Sequence, residues 1–325
     1  MLKPAMRITA LVLCLLAPVL LVQSGTYKND KTEIPETLNV LVLGKDDSSS
    51  LADVVMLVNL NVTEKSLSIL QIPRDTYIDL GDGNYKKING ASKLLGGDGE
   101  LCRKLSESLG INIGGYVSFD SELVRKMVDA IGGVEVFVPA DMDYDDPYQE
   151  LSIHLKKGKQ KLDGKEAVGF VRYRQGYLRA DIGRIDAQKI FLSAFAKTAL
   201  EGLSVKDILP LSKLALRYIR TDLPINRLVA LGVAMKDITA DRISLATMPG
   251  EEVQSQKSGA WFYILSKSGC EEILKRIGAE SGFDASHIYS DKSRAEFEEI
   301  YNREIKARIY NAAEIDGEGI EIKPK

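Results

Sequence analysis

Short apolar segments rich in β-branched residues alternate with segments of helical apolar spacing along most of this chain. Leu38 to Leu43, Val54 to Val62 and Ser66 to Ile72 have the length and composition of buried strands. Glu100 to Leu109 and Ser121 to Ile131 then show the apolar spacing of helices. This alternation predicts an α/β sandwich that begins near Leu38.

The alternation continues through the second half of the chain. Further strands are expected at Tyr116 to Phe119, Val134 to Val138 and Ile243 to Met248, and further helices at Lys165 to Phe170, Leu211 to Ile219, Ile225 to Ile238 and Gly269 to Ile277. The longest helical pattern runs from Asp181 to Leu200, and Asp181 is its expected N-cap. From about Ser290 the chain is charged, which predicts a peripheral helix and a loose tail.

The N-terminus is predicted to direct the chain to a membrane. Lys3 and Arg7 precede an apolar run from Ile8 to Val22. A spanning helix needs about 20 residues, so a retained single-pass anchor and a cleaved signal peptide are both open. Either way, the positive-inside rule places the following residues outside the cytoplasm. We therefore expect a membrane segment at 1–25, a polar linker at 26–37, an α/β domain at 38–280 and a peripheral C-terminal region at 281–325.

Composition excludes several kinds of site. The formal net charge of −3 argues against a nucleic-acid partner, since such domains are strongly basic. His154 and His287 are the only histidines, which leaves almost no material for histidine triads or H-E-x-x-H metal sites. Cys102 and Cys270 lack C-x-x-C spacing, and two small buried residues are expected in preference to a disulfide.

Aspartates and arginines stand at the ends of predicted strands. Asp46 and Asp53 flank a Ser-rich loop between two apolar strands, so both are candidates for the ligand-binding edge of the sheet and for Mg²⁺. Arg74 and Asp75 follow the strand that ends at Ile72. The alternatives are ordinary turn aspartates and a capping ion pair.

Two more groups of polar residues are candidates for an anion site. Arg172 and Arg174 point to the same side if their segment is extended and to nearly opposite sides if it is helical. Arg184 and Gln188 share one face at the start of the predicted long helix, where free N–H groups already favour anions. An exposed Arg184 paired with Asp181 is the alternative.

An aromatic stripe continues from this polar pair along the same helix. Arg184, Gln188, Phe191 and Phe195 follow the i, i+4, i+7, i+11 pattern. A phosphate group held at Arg184 would then lie at the polar end of a stripe that continues along Phe191 and Phe195. Plain core packing of the two phenylalanines is the alternative.

Six segments follow one another in the order NVLVLGKD, ADVVMLVNLN, IPRDTY, KING, VRYR and DIGRIDAQ. In this order they resemble the LytR–CpsA–Psr family of cell-envelope proteins, over roughly Asn39 to Leu200. The resemblance implies a three-layer α/β/α sandwich with a central mixed sheet. It also implies a phosphotransferase that attaches a polyprenyl-pyrophosphate-linked glycopolymer, of wall teichoic acid or capsule type, to peptidoglycan. A retained membrane anchor is favoured by the same resemblance.

The resemblance also assigns roles to individual residues. It implies Mg²⁺ as the cofactor, held by Asp46 and Asp53. The residues expected to take part in catalysis are Asp46, Asp53, Arg74, Arg172 and Arg174. Those expected to bind the pyrophosphate are Arg74, Asp75, Lys87, Arg172, Arg174, Arg184 and Gln188. The lipid is expected along Phe191 and Phe195.

The chain departs from the family pattern in the loop between the two aspartates. Family members often carry an arginine shortly after the first aspartate and Arg-Ser before the second, where this chain has Ser48 and Leu51-Ala52. A guanidinium would stabilise charge on a departing phosphate. A non-catalytic binder of lipid-linked polymer is therefore the second hypothesis, and a transcriptional attenuator is the third. The acidic composition and extracytoplasmic position oppose the attenuator.

Overall fold

A computed structural model describes residues 35–45, 51–81, 84–149, 151–202, 205–235, 238–279, 289 and 291–315. The predicted membrane segment and Asp46 lie outside these residues. Within the described ranges, no helix has both the length and the apolar character needed to cross a membrane.

The elements alternate between strands and helices, as the apolar pattern predicts. The strands are β1 (Thr37–Lys45), β2 (Ala52–Asn61), β3 (Ser66–Ile72), β4 (Tyr77–Ile78), β5 (Lys86–Lys87), β6 (Ile113–Asp120), β7 (Val134–Val138), β8 (Met142–Asp146), β9 (Leu151–Leu155), β10 (Gly158–Leu162), β11 (Arg220–Thr221), β12 (Ile243–Thr247), β13 (Gly250–Gln254), β14 (Trp261–Leu265) and β15 (Ile309–Asn311). The helices are α1 (Ile88–Leu95), α2 (Asp98–Leu109), α3 (Ser121–Ala130), α4 (Gly164–Arg172), α5 (Ala180–Gly202), α6 (Val205–Tyr218), α7 (Ile225–Met235), α8 (Lys267–Arg276) and α9 (Asp291–Asn302).

Seven strands form a central mixed sheet in the order β11-β6-β1-β2-β3-β12-β15. β1 pairs in parallel with β6 and antiparallel with β2, and β3 pairs antiparallel with β2 and in parallel with β12. Consequently β1, β3, β6 and β12 run in the same direction and end at the same edge of the sheet. Ligands of open α/β sheets bind at such an edge, beyond the carboxyl ends of the strands.

Both faces of the sheet are covered by helices, because the central strands are apolar at consecutive positions. In β1, Val40 and Val42 belong to a core shared with α3, α4, α5 and α7, whereas Leu41 and Leu43 belong to a core shared with α1, α2, α8 and α9. Fully burying each such side chain stabilises the fold by about 1.5–3 kcal/mol. The predicted α/β architecture with a central mixed sheet is confirmed.

The C-terminal region is more integrated than its charged composition predicts. Phe297 of α9 is buried, and its ring lies 5.6 Å from that of Tyr77 and 6.2 Å from that of Phe262, measured between centroids. β15 pairs with β12 and completes one edge of the main sheet. The expected C-terminal helix is therefore present, and one apolar stripe is sufficient to anchor it although most of its residues are charged or polar.

Both cysteines in the described part of the domain are buried and unbridged, as expected for small core residues. Cys102 lies in α2 and Cys270 in α8. Burial raises the pKa of the Cys102 thiol to about 11. The neutral thiol is therefore the form present in the fold at neutral pH.

Candidate functional site

Charged residues collect at the edge of the sheet where the parallel strands end. Lys45 is the last residue of β1 and Asp120 the last of β6, while Arg74 follows β3 by two residues. Asp53 lies at the start of β2, which begins at this edge because it is antiparallel to β1. The topology thus brings together residues that are distant in sequence.

The long helix α5 begins at the same edge and changes the predicted role of one residue. The helix starts at Ala180, so Asp181 lies in its first turn and is not the N-cap that we expected. Asp181 Oδ1 lies 2.9 Å from Arg184 Nη2 and 3.3 Å from Arg74 Nε. Tertiary ion pairs, which the local pattern does not encode, determine its orientation.

Asp53 contacts two arginines and belongs to a group of four residues of alternating charge. We call this group the Arg-Asp cluster; it consists of Asp53, Arg74, Asp181 and Arg184. Asp53 Oδ1 lies 2.5 Å from Arg74 Nη1 and 4.0 Å from Arg184 Nη1. Arg184 is almost completely buried, with 4% of its surface exposed. Its Nε, which is also buried, has no hydrogen-bond partner among the described residues. An unfilled donor of this kind suits an anionic ligand.

The two arginines of this cluster differ in their electrostatic environment. Burial lowers the pKa of Arg74, but the carboxylates of Asp181, Asp53 and Asp75 outweigh burial, so its pKa is raised. The pKa of Arg184 is instead lowered. Burial and the nearby cations Arg74 and Arg174 lower it, and together they outweigh the carboxylates of Asp181 and Asp53, which raise it. The positive charge of Arg184 is therefore the less compensated of the two, and an anion beside it would offset part of the effect of burial.

A polar cleft of about 70 Å³ opens beside the cluster. Its walls combine ends of the parallel strands, the start of β2 and three helices. The lining residues are Gly44, Lys45, Asp53, Val54, Phe119, Asp120, Ser121, Val124, Val168, Val171, Arg172, Arg184 and Gln188. Three of the predicted phosphate ligands, Arg172, Arg184 and Gln188, therefore face one space.

The two arginines of the VRYR segment are separated by the end of α4. Arg172 is the last helical residue and is half-buried in the cleft wall, whereas Arg174 is exposed beyond the extended Tyr173. The segment is thus neither wholly extended nor wholly helical, the two geometries that we considered. Arg174 acts on the site as a neighbouring charge that lowers the pKa of Arg184.

Asp75 and Lys87 lie next to the Arg-Asp cluster. Their side chains form an ion pair of 3.2 Å between Lys87 Nζ and Asp75 Oδ2. Lys87 Nζ also lies 5.8 Å from the centre of the Phe262 ring, on the side of the β13–β14 hairpin. These two residues extend the charged region toward that hairpin.

A second, apolar cavity of about 110 Å³ adjoins the polar cleft. The two spaces share the residues Val54, Phe119, Val124, Val171 and Gln188. Beyond these shared residues, the wall contributed by α5 consists of Phe191, Leu192 and Phe195. One face of α5 therefore leads from Arg184 in the cleft to Phe191 and Phe195 in the apolar cavity.

A buried pair of amides stands where the cleft meets the cavity. Gln71 Nε2 donates to Gln188 Oε1 at 3.0 Å, and Gln188 Nε2 donates to the carbonyl oxygen of Val171 at 3.2 Å. Gln71 Oε1 is buried and has no hydrogen-bond partner in the described part of the chain. Gln71 was not among the predicted site residues, although a glutamine near the end of the apolar strand SLSILQI was a signal.

This amide pair predicts a specific pattern of stability changes. Gln188→Leu leaves both ends of the Gln71 side-chain amide without a protein hydrogen-bond partner. We expect it to lower the free energy of unfolding by about 1–3 kcal/mol. Adding Gln71→Leu removes the buried polar groups and should recover most of this loss. Urea unfolding of the two single variants and the double variant measures the coupling between the two glutamines. Stability changes that simply add in the double variant would contradict this prediction.

Two further polar residues near the cleft were not predicted. Lys45 Nζ lies 2.6 Å from Asp98 Oδ1 of α2. Burial raises the pKa of Asp98, but hydrogen bonds from Lys45, Ser92 and Ser118 prevail and lower it. A lysine directly after an apolar strand was the available signal.

The predicted metal site is only partly within the described residues. Asp53 offers a half-exposed carboxylate to the cleft, which fits one ligand of Mg²⁺. No group of three or more His, Cys, Asp and Glu side chains arranged to hold a metal is found among the described residues. Mg²⁺ is nevertheless usually bound by only one or two carboxylates, and water and phosphate oxygens complete its ligands.

Comparison with known proteins identifies the family. The family model LytR_cpsA_psr matches residues 22–278. The chain belongs to the LytR–CpsA–Psr family. Its relatives include the polyisoprenyl-teichoic acid–peptidoglycan teichoic acid transferase TagV of Bacillus subtilis (strain 168), which is 27% identical over 266 residues, covering 78% of this chain and 68% of TagV. Regulatory protein MsrR of Staphylococcus aureus (strain COL) is 30% identical over 260 residues, covering 77% of this chain and 76% of MsrR.

Solved structures of the LytR–CpsA–Psr family share the fold. The crystal structure of B. subtilis TagV superposes with a TM-score of 0.64 at 26% identity and covers 75% of this chain and 97% of that one. The structure of TagT bound to LI-WTA superposes with a TM-score of 0.58 at 23% identity and covers 77% and 93% of the two chains. The resemblance seen in the six sequence segments is thereby confirmed.

Proposed function

We propose that this LytR–CpsA–Psr protein is an extracytoplasmic phosphotransferase that moves a polyprenyl-pyrophosphate-linked glycopolymer of wall teichoic acid or capsule type onto peptidoglycan. One observation carries the proposal: a cleft lined by Arg172 and Arg184 adjoins an apolar cavity through shared walls. A polyprenyl pyrophosphate has the same division into a charged head and an apolar tail. The relatives TagV and TagU carry names of polyisoprenyl-teichoic acid–peptidoglycan transferases.

The arginines supply the charge that the substrate needs. Arg184 is fixed and buried, so its guanidinium stabilises negative charge without reorganisation. Arg74 is held by Asp53 and Asp181 and becomes available to phosphate oxygens when Asp53 takes another cation. Asp46 and Asp53 would hold Mg²⁺, which supplies further neutralisation of the pyrophosphate when bound.

The reaction is a displacement at phosphorus. An acceptor hydroxyl loses its proton, and its oxygen bonds to the phosphorus that carries the glycopolymer. The bond from that phosphorus to the bridging oxygen breaks, and polyprenyl phosphate leaves with the bond's electron pair. Arg172, Arg184 and Gln188 line the space in which this charge develops.

The proposal includes a location at the cell membrane, with residues 1–25 as a retained single-pass anchor. It is supported by Lys3 and Arg7 ahead of the apolar run and by the family resemblance. Protease treatment of intact wall-less cells should remove the domain. A domain that survives this treatment would contradict the location, and a mature N-terminus near Gly25 would replace the anchor with a cleaved signal peptide.

Turnover of defined lipid-linked donors with peptidoglycan oligomers tests the function. Release of polyprenyl phosphate together with glycan-linked product is expected. Donor binding without turnover would instead favour the non-catalytic binder, for which Leu51 and Ala52 are the motivation. Salt-dependent DNA binding without either result would favour the attenuator.

Asp53 is predicted to couple metal and pyrophosphate binding. Asp53→Asn keeps the shape of the side chain but removes the charge, so calorimetric binding of Mg²⁺ in the presence of pyrophosphate should weaken at least about tenfold. Asp143→Asn, at an exposed ion pair on the β8–β9 hairpin, is the matched control and should bind normally. Tight metal binding by wild type without any phosphate would contradict this coupling.

A further inference from the structure

The chain's single tryptophan lies on the surface. Trp261 is the first residue of β14, and 57% of its surface is exposed. Tryptophan usually buries most of its large apolar surface, so an indole left in water on a strand is an unusual feature of a folded domain. The neighbouring Phe262 shows the ordinary behaviour, because only 3% of its surface is exposed.

The strand register places polar residues beside this indole. Trp261 pairs with Gln254, and Tyr263 pairs with Glu252. Directly opposed residues of antiparallel strands share a face, as do residues two apart on one strand. Trp261, Tyr263, Gln254 and Glu252 therefore lie on one face of the β13–β14 hairpin. Tyr263 is buried there, and the other three form the exposed part, which we call the hairpin face. Gln254 and Glu252 are both exposed.

The hairpin face borders the Arg-Asp cluster. The backbone N–H of Tyr263 donates to the carbonyl oxygen of Asp75 at 2.9 Å, and Tyr263 forms a parallel β-bridge with Thr76. Asp75 directly follows Arg74. The hairpin is thus hydrogen-bonded to the chain segment that carries one arginine of the candidate site, with Glu252 opposite the connecting residue.

Glu252 faces charges from several elements around it. These are Arg179 ahead of α5, Asp181 in α5, Asp75 after β3 and Lys87 in β5. Removal of water by the surrounding protein raises the pKa of the Glu252 carboxyl, and the carboxylates of Asp181 and Asp75 add to this increase. The cations Arg179 and Lys87 oppose the increase without cancelling it.

We propose that the hairpin face is the acceptor subsite, where one sugar of a peptidoglycan glycan strand stacks on Trp261 while Gln254 and Glu252 bind its hydroxyl and amide groups. A pyranose ring has an apolar face of C–H groups and a polar rim. An exposed indole with an amide and a carboxylate on the same surface matches both parts. The inference rests on the proposed function, because it assigns the acceptor of that reaction.

Glu252 has a defined part in this arrangement. Its carboxylate stands opposite Tyr263, whose backbone N–H donates to the carbonyl oxygen of Asp75, so it binds the polar rim of the stacked sugar on the side of the Arg-Asp cluster. From Trp261 to Tyr263, opposite Glu252, the strand advances by about 6.6 Å, which is comparable to the span of one sugar.

Because Trp261 is the only tryptophan, its fluorescence reports directly on this surface. Titration of the whole protein with soluble peptidoglycan glycan strands should produce a saturable change in emission, whereas amylose should produce none. Polyprenyl phosphate should bind without this change. Glycan binding that leaves the tryptophan emission unchanged would overturn the proposal, as would an equal response to amylose.

Variants separate the subsite from general effects on the fold. Trp261→Ala should raise the KM for the glycan acceptor about tenfold, the equivalent of one good stacking contact, and leave the KM for the lipid donor unchanged. Trp261→Phe should keep most of the affinity. Tyr148→Ala, which removes an exposed aromatic side chain on the β8–β9 hairpin, is the matched control. An unchanged acceptor KM in Trp261→Ala would refute the subsite while the transferase function stands.

The role of Glu252 has its own measurement. Glu252→Ala removes the carboxylate that binds the sugar rim, so it should raise the KM for the glycan acceptor and leave the KM for the lipid donor unchanged. Its emission response to glycan should remain saturable. An unchanged acceptor KM in Glu252→Ala would remove Glu252 from the subsite. Saturable glycan binding at Trp261 without turnover of any donor would instead refute the transferase function alone.

Discussion

Arg184→Ala is expected to abolish detectable binding of pyrophosphate and to lower the free energy of unfolding by about 3–5 kcal/mol. Arg184 is almost fully buried between Asp53 and Asp181, so its loss leaves the buried carboxylate of Asp181 with Arg74 as its remaining ion-pair partner among the described residues. It also removes the guanidinium whose Nε is unfilled. Calorimetry with pyrophosphate and urea unfolding measure the two effects.

A second variant separates the two consequences of losing Arg184. Adding Asp181→Asn removes the stranded charge, so Arg184→Ala/Asp181→Asn should recover much of the stability. Pyrophosphate binding should remain absent. Arg103→Ala is the matched control, because Arg103 also contacts two carboxylates, Glu100 and Glu107, but is exposed. Pyrophosphate binding by the stable double variant at the wild-type level would remove Arg184 from the site.

The sheet and its main helices follow from apolar patterning. Ser66–Ile72 and Val134–Val138 form strands with the bounds that the pattern predicts. β13, in contrast, has the sequence GEEVQ, whose charges gave no strand signal. Its pairing with the apolar β14 determines its conformation. Such pairing depends on tertiary contacts, which local propensity does not contain.

The candidate site was predictable residue by residue but not as a network. Arg74, Arg184 and Gln188 were found because each stands at an element's end or on one helix face. The alternation of Asp53 and Asp181 between two arginines requires β2 and α5 to meet, and these segments are more than a hundred residues apart. Capping rules therefore assigned Asp181 a local role, whereas its ion pairs are with Arg184 and the distant Arg74.

Phe191→Trp is expected to weaken binding of polyprenyl phosphate at least about tenfold while the melting temperature changes little. Phe191 is buried and lines the apolar cavity of about 110 Å³ next to Gln188. The cavity offers room for the larger indole, so the substitution fills space that the proposed lipid would occupy. In a core without such space, the same enlargement lowers the free energy of unfolding by about 1–3 kcal/mol, because the larger side chain overpacks its surroundings.

The matched control for the lipid prediction is Phe170→Trp. Phe170 belongs to the same core as Phe191 and is fully buried, but it does not line the cavity. This variant should lose stability through overpacking and keep its lipid affinity. The two phenylalanines thus predict opposite outcomes from one kind of substitution. A lowered melting temperature with unchanged lipid affinity in Phe191→Trp would make Phe191 an ordinary core residue, and the lipid tail would then have to leave the cleft by another route.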